Sequence, residues 1–193
     1  MKFIAQRLYI YAALLSITSW FLLKLFDVEE TKRTELALHR SDFYSNGYAK
    51  VEMDEEGQVK NKLIADKIIH YSDDRNTELL HPVYYSYSAG SKPSQSAPWV
   101  ISAETGRLAA DGNDLQLNGN AVIQRAEATN VKPIIIKSAN LNVQLKTGQA
   151  QSSEWSELSS SAHRTTGQGM KLTYKQPIRV ELLHSVKGTY ETK

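Results

Sequence analysis

Ala139-Asn140-Leu141-Asn142-Val143-Gln144-Leu145-Lys146 decides the fold, because four apolar side chains alternate with four polar ones without a miss. A period of two places every apolar group on one face of an extended strand and every polar group on the other. Such a strand is half buried, and it belongs to an antiparallel sheet with one wet face. The pattern returns in Met170, Leu172 and Tyr174, set against Lys171 and Thr173. Ile178, Val180 and Leu182 repeat it against Arg179 and Glu181, as do Val83, Tyr85 and Tyr87 earlier in the chain. Asp54-Glu55-Glu56-Gly57, Asp111-Gly112-Asn113-Asp114 and Thr147-Gly148 carry the turn chemistry that separates strands.

A longer phrase is laid over this alternation. Sixteen residues separate Ala65 from His81-Pro82-Val83, and Ala103 from Gly119-Asn120-Ala121-Val122; a degenerate copy runs from Ala139 to Trp155. The alanines step by 38 and 36 residues, in the range of repeated supersecondary units. Each copy reads as an alanine opening a strand, a loop, and a second strand ending at a small turn. A hairpin of this kind cannot bury its apolar face alone, so the copies must stack. After Phe26 no stretch sustains a helical period over ten residues, and Ala89 to Pro98, with Gly90, Pro93 and several serines, reads as a surface loop. The expectation is all-β: more than ten short antiparallel strands in a two-sheet β-jellyroll with its apolar faces inward. An open roll leaves an edge strand at each end, and each edge can accept a strand from another chain.

The N-terminal segment is different in kind. Leu8 to Leu23 is sixteen residues without a charge, bracketed by Arg7 and Lys24, and Phe3 to Phe26 spans 24 residues. At ~1.5 Å per residue that length covers a ~30 Å hydrocarbon layer with some tilt. Tyr9, Tyr11 and Trp20 stand towards its ends, where amphipathic rings favour the interface. The apolar run continues through Trp20-Phe21-Leu22-Leu23 without an Ala-x-Ala site, which favours an uncleaved transmembrane α-helix over a signal peptide. Lys2 and Arg7 before the span favour a cytoplasmic N-terminus. The expected organisation is a transmembrane anchor over 1–26, a linker over 27–47, and a β-domain over 48–193.

Composition excludes several function classes. With 23 basic and 21 acidic residues the chain is no dedicated nucleic-acid binder. Residues 27–128 carry a net charge of −6 and residues 129–193 a net charge of +5, a division that reads either as ordinary solvated faces or as a footprint for partners or anionic ligands. The absence of cysteine rules out disulfides, thiol catalysis and thiolate zinc sites. There is no nucleophile elbow, P-loop, His-Glu-x-x-His or dinucleotide fingerprint. His39, His70, His81, His163 and His184 are scattered without metal-ligand spacing. No enzymatic activity, metal or cofactor is expected. Phe43 is the only phenylalanine beyond residue 26, so the inward faces are built mainly of Ala, Val, Leu, Ile and Tyr. That interior reads either as a dry core or as a lined groove.

Several phrases, in order, resemble the LptC family, the bitopic inner-membrane component of lipopolysaccharide export. They are Leu63-Ile64-Ala65-Asp66-Lys67, Tyr71-Ser72-Asp73, His81-Pro82-Val83, Trp99-Val100-Ile101-Ser102-Ala103, Leu115-Gln116-Leu117-Asn118-Gly119-Asn120-Ala121, Gly169-Met170-Lys171-Leu172 and Thr189-Tyr190-Glu191. The resemblance implies an OstA/LptA-like periplasmic β-jellyroll whose apolar interior cradles lipopolysaccharide acyl chains. It implies an anchor that packs against the LptF/LptG subunits, powered by the LptB ATPase. It also implies a C-terminal edge that hands lipid to the bridge protein LptA by strand pairing. In that family's sense the lumen candidates are Leu79, Val83, Tyr85, Ile101, Ala103, Leu117, Ala139, Leu141, Val143, Met170, Leu172, Val180, Leu182 and Tyr190. The docking edge would comprise Ile178, Val180, Leu182 and Tyr190, and the phosphorylated sugar head would lie near Lys171, Lys175, Arg179 and Lys187. The alternative is an anchored scaffold that recruits partners through its edge strands around a dry core.

Overall fold

The computed structural model describes residue 11 and residues 13–22, 40–87, 97–128, 132–161 and 163–190. Residues 13–22 are helical. Among the described residues no helix is long and apolar enough to cross a membrane, and the rest of the expected span lies outside them. The chain divides into two units, Met1–His39 and Arg40–Lys193. The second is all-β.

Among the described residues its strands are β1 (Ser41–Met53), β2 (Val59–Tyr71), β3 (Thr77–Leu80), β4 (Val83–Ser86), β5 (Trp99–Ser102), β6 (Thr105–Leu108), β7 (Asp114–Arg125), β8 (Ile134–Gln144), β9 (Gln149–Ser160), β10 (His163–Thr173) and β11 (Arg179–Tyr190). β1 starts inside the stretch expected as linker. Seven of the strands run to between 11 and 13 residues, longer than the alternation suggested. Every pairing is antiparallel.

The short strands are halves of longer ones. Lys67 faces Leu80 and Ile64 faces Val83, so one register runs unbroken through His81-Pro82 and joins β3 to β4 opposite β2. Leu80 faces Thr105 and Val83 faces Ser102, which joins β5 to β6 through Ala103-Glu104 in the same way. The result is a simple meander in chain order, from β1 at one edge to β11 at the other.

A line of irregularities crosses this meander at mid-strand. His81 (φ 47°), Gly119 (φ 77°), Asn120 (φ 46°), Gly169 (φ 77°) and Ser185 (φ 51°) all lie on it. The ladders slip register between Asn118 and Ala121, Ser138 and Asn142, Thr166 and Gln168, and Gln168 and Met170. An extra residue bends a strand and sharpens its twist. Each long strand therefore turns a corner here and passes from one layer to the other. The corners are knitted across strands: His81 N–H donates to Glu104 O at 2.8 Å and Glu104 N–H to Gly119 O at 3.0 Å. Asp66 meets His81 Nδ1 at 2.8 Å, and Asn120 donates to the Glu104 carboxylate at 2.5 Å. At Gly119 the φ is left-handed, and a Cβ there would strike the Glu104 carboxylate.

This line is the physical content of the repeated phrase. Ala65, Ala103 and Ala139 do not open strands, as the sequence suggested; they sit at or beside corners, and the turn residues sixteen positions on are the next corners. The corners also reset the inward alternation. Leu63 and Ala65 point inward before the corner of β2, and Ile68 after it; the same one-residue change separates Leu79 from Tyr84 and Ser138 from Leu141.

Candidate functional site: the apolar interior and its mouth

Between the two layers lies one apolar cluster built from β2 to β10. Ile101, Leu115, Ile123, Val143 and Met170 are completely buried, and Leu117, Ile136 and Leu172 are almost so. The layers meet directly: the rings of Trp99 on β5 and Tyr174 after β10 lie 6.4 Å apart. That pair lies near the free ends of the layers, and the complete burial of the side chains deeper in means that the inner walls are in contact there too.

The sealing stops at β11. Leu172 is buried, but Val180, directly opposite it on the last strand, is half-exposed; Met170 and its partner Leu182 differ in the same way. Leu158 on β9 is also half-exposed while packing on the cluster. β1, at the other edge, is exposed along almost its whole length, with Phe43, Tyr44, Val51 and Met53 open to solvent. β1 pairs only with β2, and β11 only with β10, among the described residues.

Of the lumen candidates, Leu79, Ile101, Leu117, Leu141, Val143, Met170 and Leu172 point into the cluster. Ala103, Val180 and Leu182 pack against it, partly buried. Val83 and Tyr85 do not point in: the inward residues of β4 are Tyr84 and Ser86, because the corner at His81-Pro82 shifts the phase by one. Ala139 is exposed for the same reason, its neighbour Ser138 taking the inward place. Among edge candidates, Ile178 is an exposed residue of the turn before β11. Tyr190 pairs by its backbone with His163, and its side chain lies outside the described residues. Leu63, Leu115, Ile123, Ile136 and Tyr84 are inward residues that sequence reasoning missed, whereas Tyr174 is inward as its alternation with Met170 and Leu172 implied; Ile123 and Leu115 alternate cleanly within β7 and were legible by the same period-two rule.

Polar groups enter the interior at two places. At the corner of β8 and β9 three serines replace the lost ladder bonds. Ser138 and Ser152 hydroxyls lie 2.8 Å apart, and Ser156, wholly buried, donates within reach of Ser138 Oγ and Glu154 O, both at 3.2 Å. Ser152 Oγ in turn accepts from Glu154 N–H at 3.1 Å. A buried backbone group without a partner is costly, so this network keeps a bent strand affordable.

The second place is the mouth, where the free ends of the two layers approach each other opposite the corner line. A pocket of 420 Å³ opens there. Lys50, Glu52, Lys60, Asn61, Leu63 and Tyr84 line it from β1, β2 and β4, and Leu108, Asp111, Gly112, Leu145, Lys146 and Lys175 from β6 and three turns. Asn61 donates to Glu52 at 2.9 Å, which holds that carboxyl below its ordinary range. Burial, with Lys60 nearby, holds the Lys175 ammonium below its ordinary range. Burial pushes the Tyr84 hydroxyl up to about 12 and raises Tyr174 further. The hydroxyls of Tyr84 and Tyr174 and Oδ1 of Asn61 are buried with no hydrogen-bond partner. Of the four basic residues named from the sequence, Lys175 alone lines the mouth; Lys171 and Arg179 flank a separate outer-face pocket, where Arg179 pairs with Glu181. Among the described residues no group of three or more His, Asp or Glu is placed to hold a metal ion.

Among the described residues the β-domain is thus an antiparallel meander with an apolar interior, a charged mouth and an edge strand at either end, the architecture of an open β-jellyroll. The chain belongs to the LptC-related lipopolysaccharide-assembly family, whose profile matches residues 8–191. No curated protein matches it significantly. Among solved structures it is similar to LptH of Pseudomonas aeruginosa, described as the LptA-homologous periplasmic component of the conserved lipopolysaccharide transport device. That likeness has a TM-score of 0.49 at 7% identity and covers 78% of this chain and 94% of the other. Similarity at that level transfers no residue role.

Proposed function

We propose that this protein moves lipopolysaccharide without catalysing any reaction, taking the lipid's acyl chains into the interior between its two layers. Lipopolysaccharide extracted from the inner membrane by the LptB/LptF/LptG transporter enters on the β1 side and leaves at β11 for LptA. The N-terminal apolar segment anchors the chain in the inner membrane, with the β-domain in the periplasm. The observation that carries this reading is the graded interior: sealed from β2 to β10, half-open where Val180 and Leu182 line β11.

The physical need is clear. Each acyl methylene kept from water is worth about 0.8 kcal/mol, so a many-chained lipid cannot cross an aqueous space unshielded. An apolar trough with few hydrogen-bonding obligations shields the chains while binding them weakly enough for release. Because the central walls touch, the chains are accommodated by spreading the two layers about the corner line. Strand pairing at β11 then brings the next module's interior into continuity with this one.

A second reading, a scaffold with a dry core, is favoured by the same central contact. Stoichiometric binding of lipopolysaccharide to the delipidated full chain in detergent separates the two. Saturable binding is expected; none at all would leave the scaffold. Removing residues 178–193 is expected to abolish LptA capture while leaving LptF/LptG association intact, and unchanged LptA capture would overturn the edge assignment.

A further inference from the structure

The mouth holds charge that the transport of acyl chains alone does not require. Four lysines line it, Lys50, Lys60, Lys146 and Lys175, against two carboxylates. Asp111 is turned into its own hairpin, where it accepts from the N–H groups of Asn113 at 2.8 Å and Asp114 at 3.4 Å. Glu52 is left facing the cations; it accepts from Asn61 and stands 3.8 Å from Lys60. Lys175 is clamped from below, its ammonium donating to the carbonyls of Leu145 at 3.1 Å and Lys146 at 2.6 Å. It has a third proton to give. Lys60 and Lys175 repel each other across the opening, which is part of what holds the Lys175 ammonium low.

Beneath these cations lie polar atoms with nothing to bond. Tyr84 is 3% exposed and its hydroxyl has no partner; Asn61 is 7% exposed and its Oδ1 has none. Both residues line the same pocket. An unmet buried donor or acceptor is destabilising, so such atoms mark a place where another molecule's groups belong. The unmet set is mixed. Tyr84 can donate to an anionic oxygen, whereas Asn61 Oδ1 can only accept, and so requires a hydroxyl or amide N–H.

We propose that the mouth is a headgroup site for a phosphorylated amino sugar, with Lys60, Lys175 and Tyr84 on the phosphate and Asn61 on a sugar hydroxyl or amide. This rests on the lipid-transfer reading and deepens it: the greasy tails lie in the interior behind Leu63 and Tyr84 while the charged head plugs the opening. The pocket of 420 Å³ falls in the range of small-molecule sites. Bringing an anion between Lys60 and Lys175 relieves their repulsion and satisfies Tyr84.

The test uses the full chain in detergent with diphosphoryl lipid A, its dephosphorylated form and inorganic phosphate as probes. Wild type is expected to bind the diphosphoryl form at least about tenfold more tightly than the dephosphorylated one, the size of one or two charge-assisted hydrogen bonds. The double variant Lys60→Gln/Lys175→Gln is expected to lose that preference while binding the dephosphorylated lipid as before. Tyr84→Phe, which keeps the packing, is expected to lose part of it. Equal binding of both lipids by wild type, or a preference that survives in the double variant, overturns the headgroup site but not lipid transfer. Inorganic phosphate binding as tightly as the diphosphoryl lipid would assign the mouth to a free anion and overturn it too. Failure of wild type to bind either lipid would instead sink the transport reading beneath it.

Discussion

Leu117→Ala measures whether the central walls are packed or parted. Leu117 sits on β7, 1% exposed, and its Cδ2 lies only 3.1 Å from where a Cβ would stand at Gly106 on the neighbouring strand. A buried leucine cut to alanine loses its transfer energy and leaves a cavity, together about 2–5 kcal/mol. For a domain of this size each kcal/mol lowers the melting temperature by about 2–4 °C, so a fall on the order of 10 °C is expected. Leu182→Ala is the internal control, since it faces the same interior from half-exposed β11 and should lose only about 1 kcal/mol. Chemical denaturation with equal slopes for both variants and wild type reads the difference directly. A loss below about 1 kcal/mol at Leu117 would refute the reasoning, because it would mean the walls stand apart without ligand.

Two other outcomes follow from the polar atoms of the interior. Tyr84 has its hydroxyl raised to about 12 by burial, against a value near 10 in the unfolded chain, so its neutral form stabilises the fold fully below pH ~10. That contribution is lost as pH rises from ~10 to about 12; a late tyrosinate absorbance step that coincides with loss of β-sheet circular dichroism is expected, and Tyr84→Phe should move the unfolding to higher pH. Ser156→Val removes the hydroxyl that reaches Ser138 and Glu154 O at the β8–β9 corner, and a loss of about 1–3 kcal/mol is expected; Ser153→Val, at an exposed position, should be nearly neutral, and equal losses would show the serine network idle.

The fold class was legible because period-two alternation survives wherever a strand is straight. Leu141, Val143, Met170 and Leu172 were placed inward correctly on that ground alone. What the alternation could not show was the corner line. A corner that shifts the phase by one residue turns every later side chain to the other face, so extrapolating from Leu79 reached Val83 and Tyr85 instead of Tyr84, and extrapolating back from Leu141 reached Ala139 instead of Ser138. The same corners made long strands look like pairs of short ones. The repeated alanines were seen, but their meaning as corners needed the pairing of Ala65 and Ala103 with strands far along the chain. The mouth was barely legible, for Lys60, Asn61, Tyr84 and Lys175 come from three strands or turns with no common spacing. The basic character of the C-terminal third hinted at it, and of the residues named on that ground Lys175 alone lies there.

Photo-crosslinking at two adjacent positions of β11 tests the lipid's place most directly. Leu182 faces the interior, partly buried, whereas Leu183 faces outward and is 41% exposed. With the chain in its transporter complex and ATP turning over, a photoreactive residue at 182 should capture lipopolysaccharide and the same residue at 183 should not. Capture at 183 with none at 182 would place the lipid on the outer face and contradict transport through the interior.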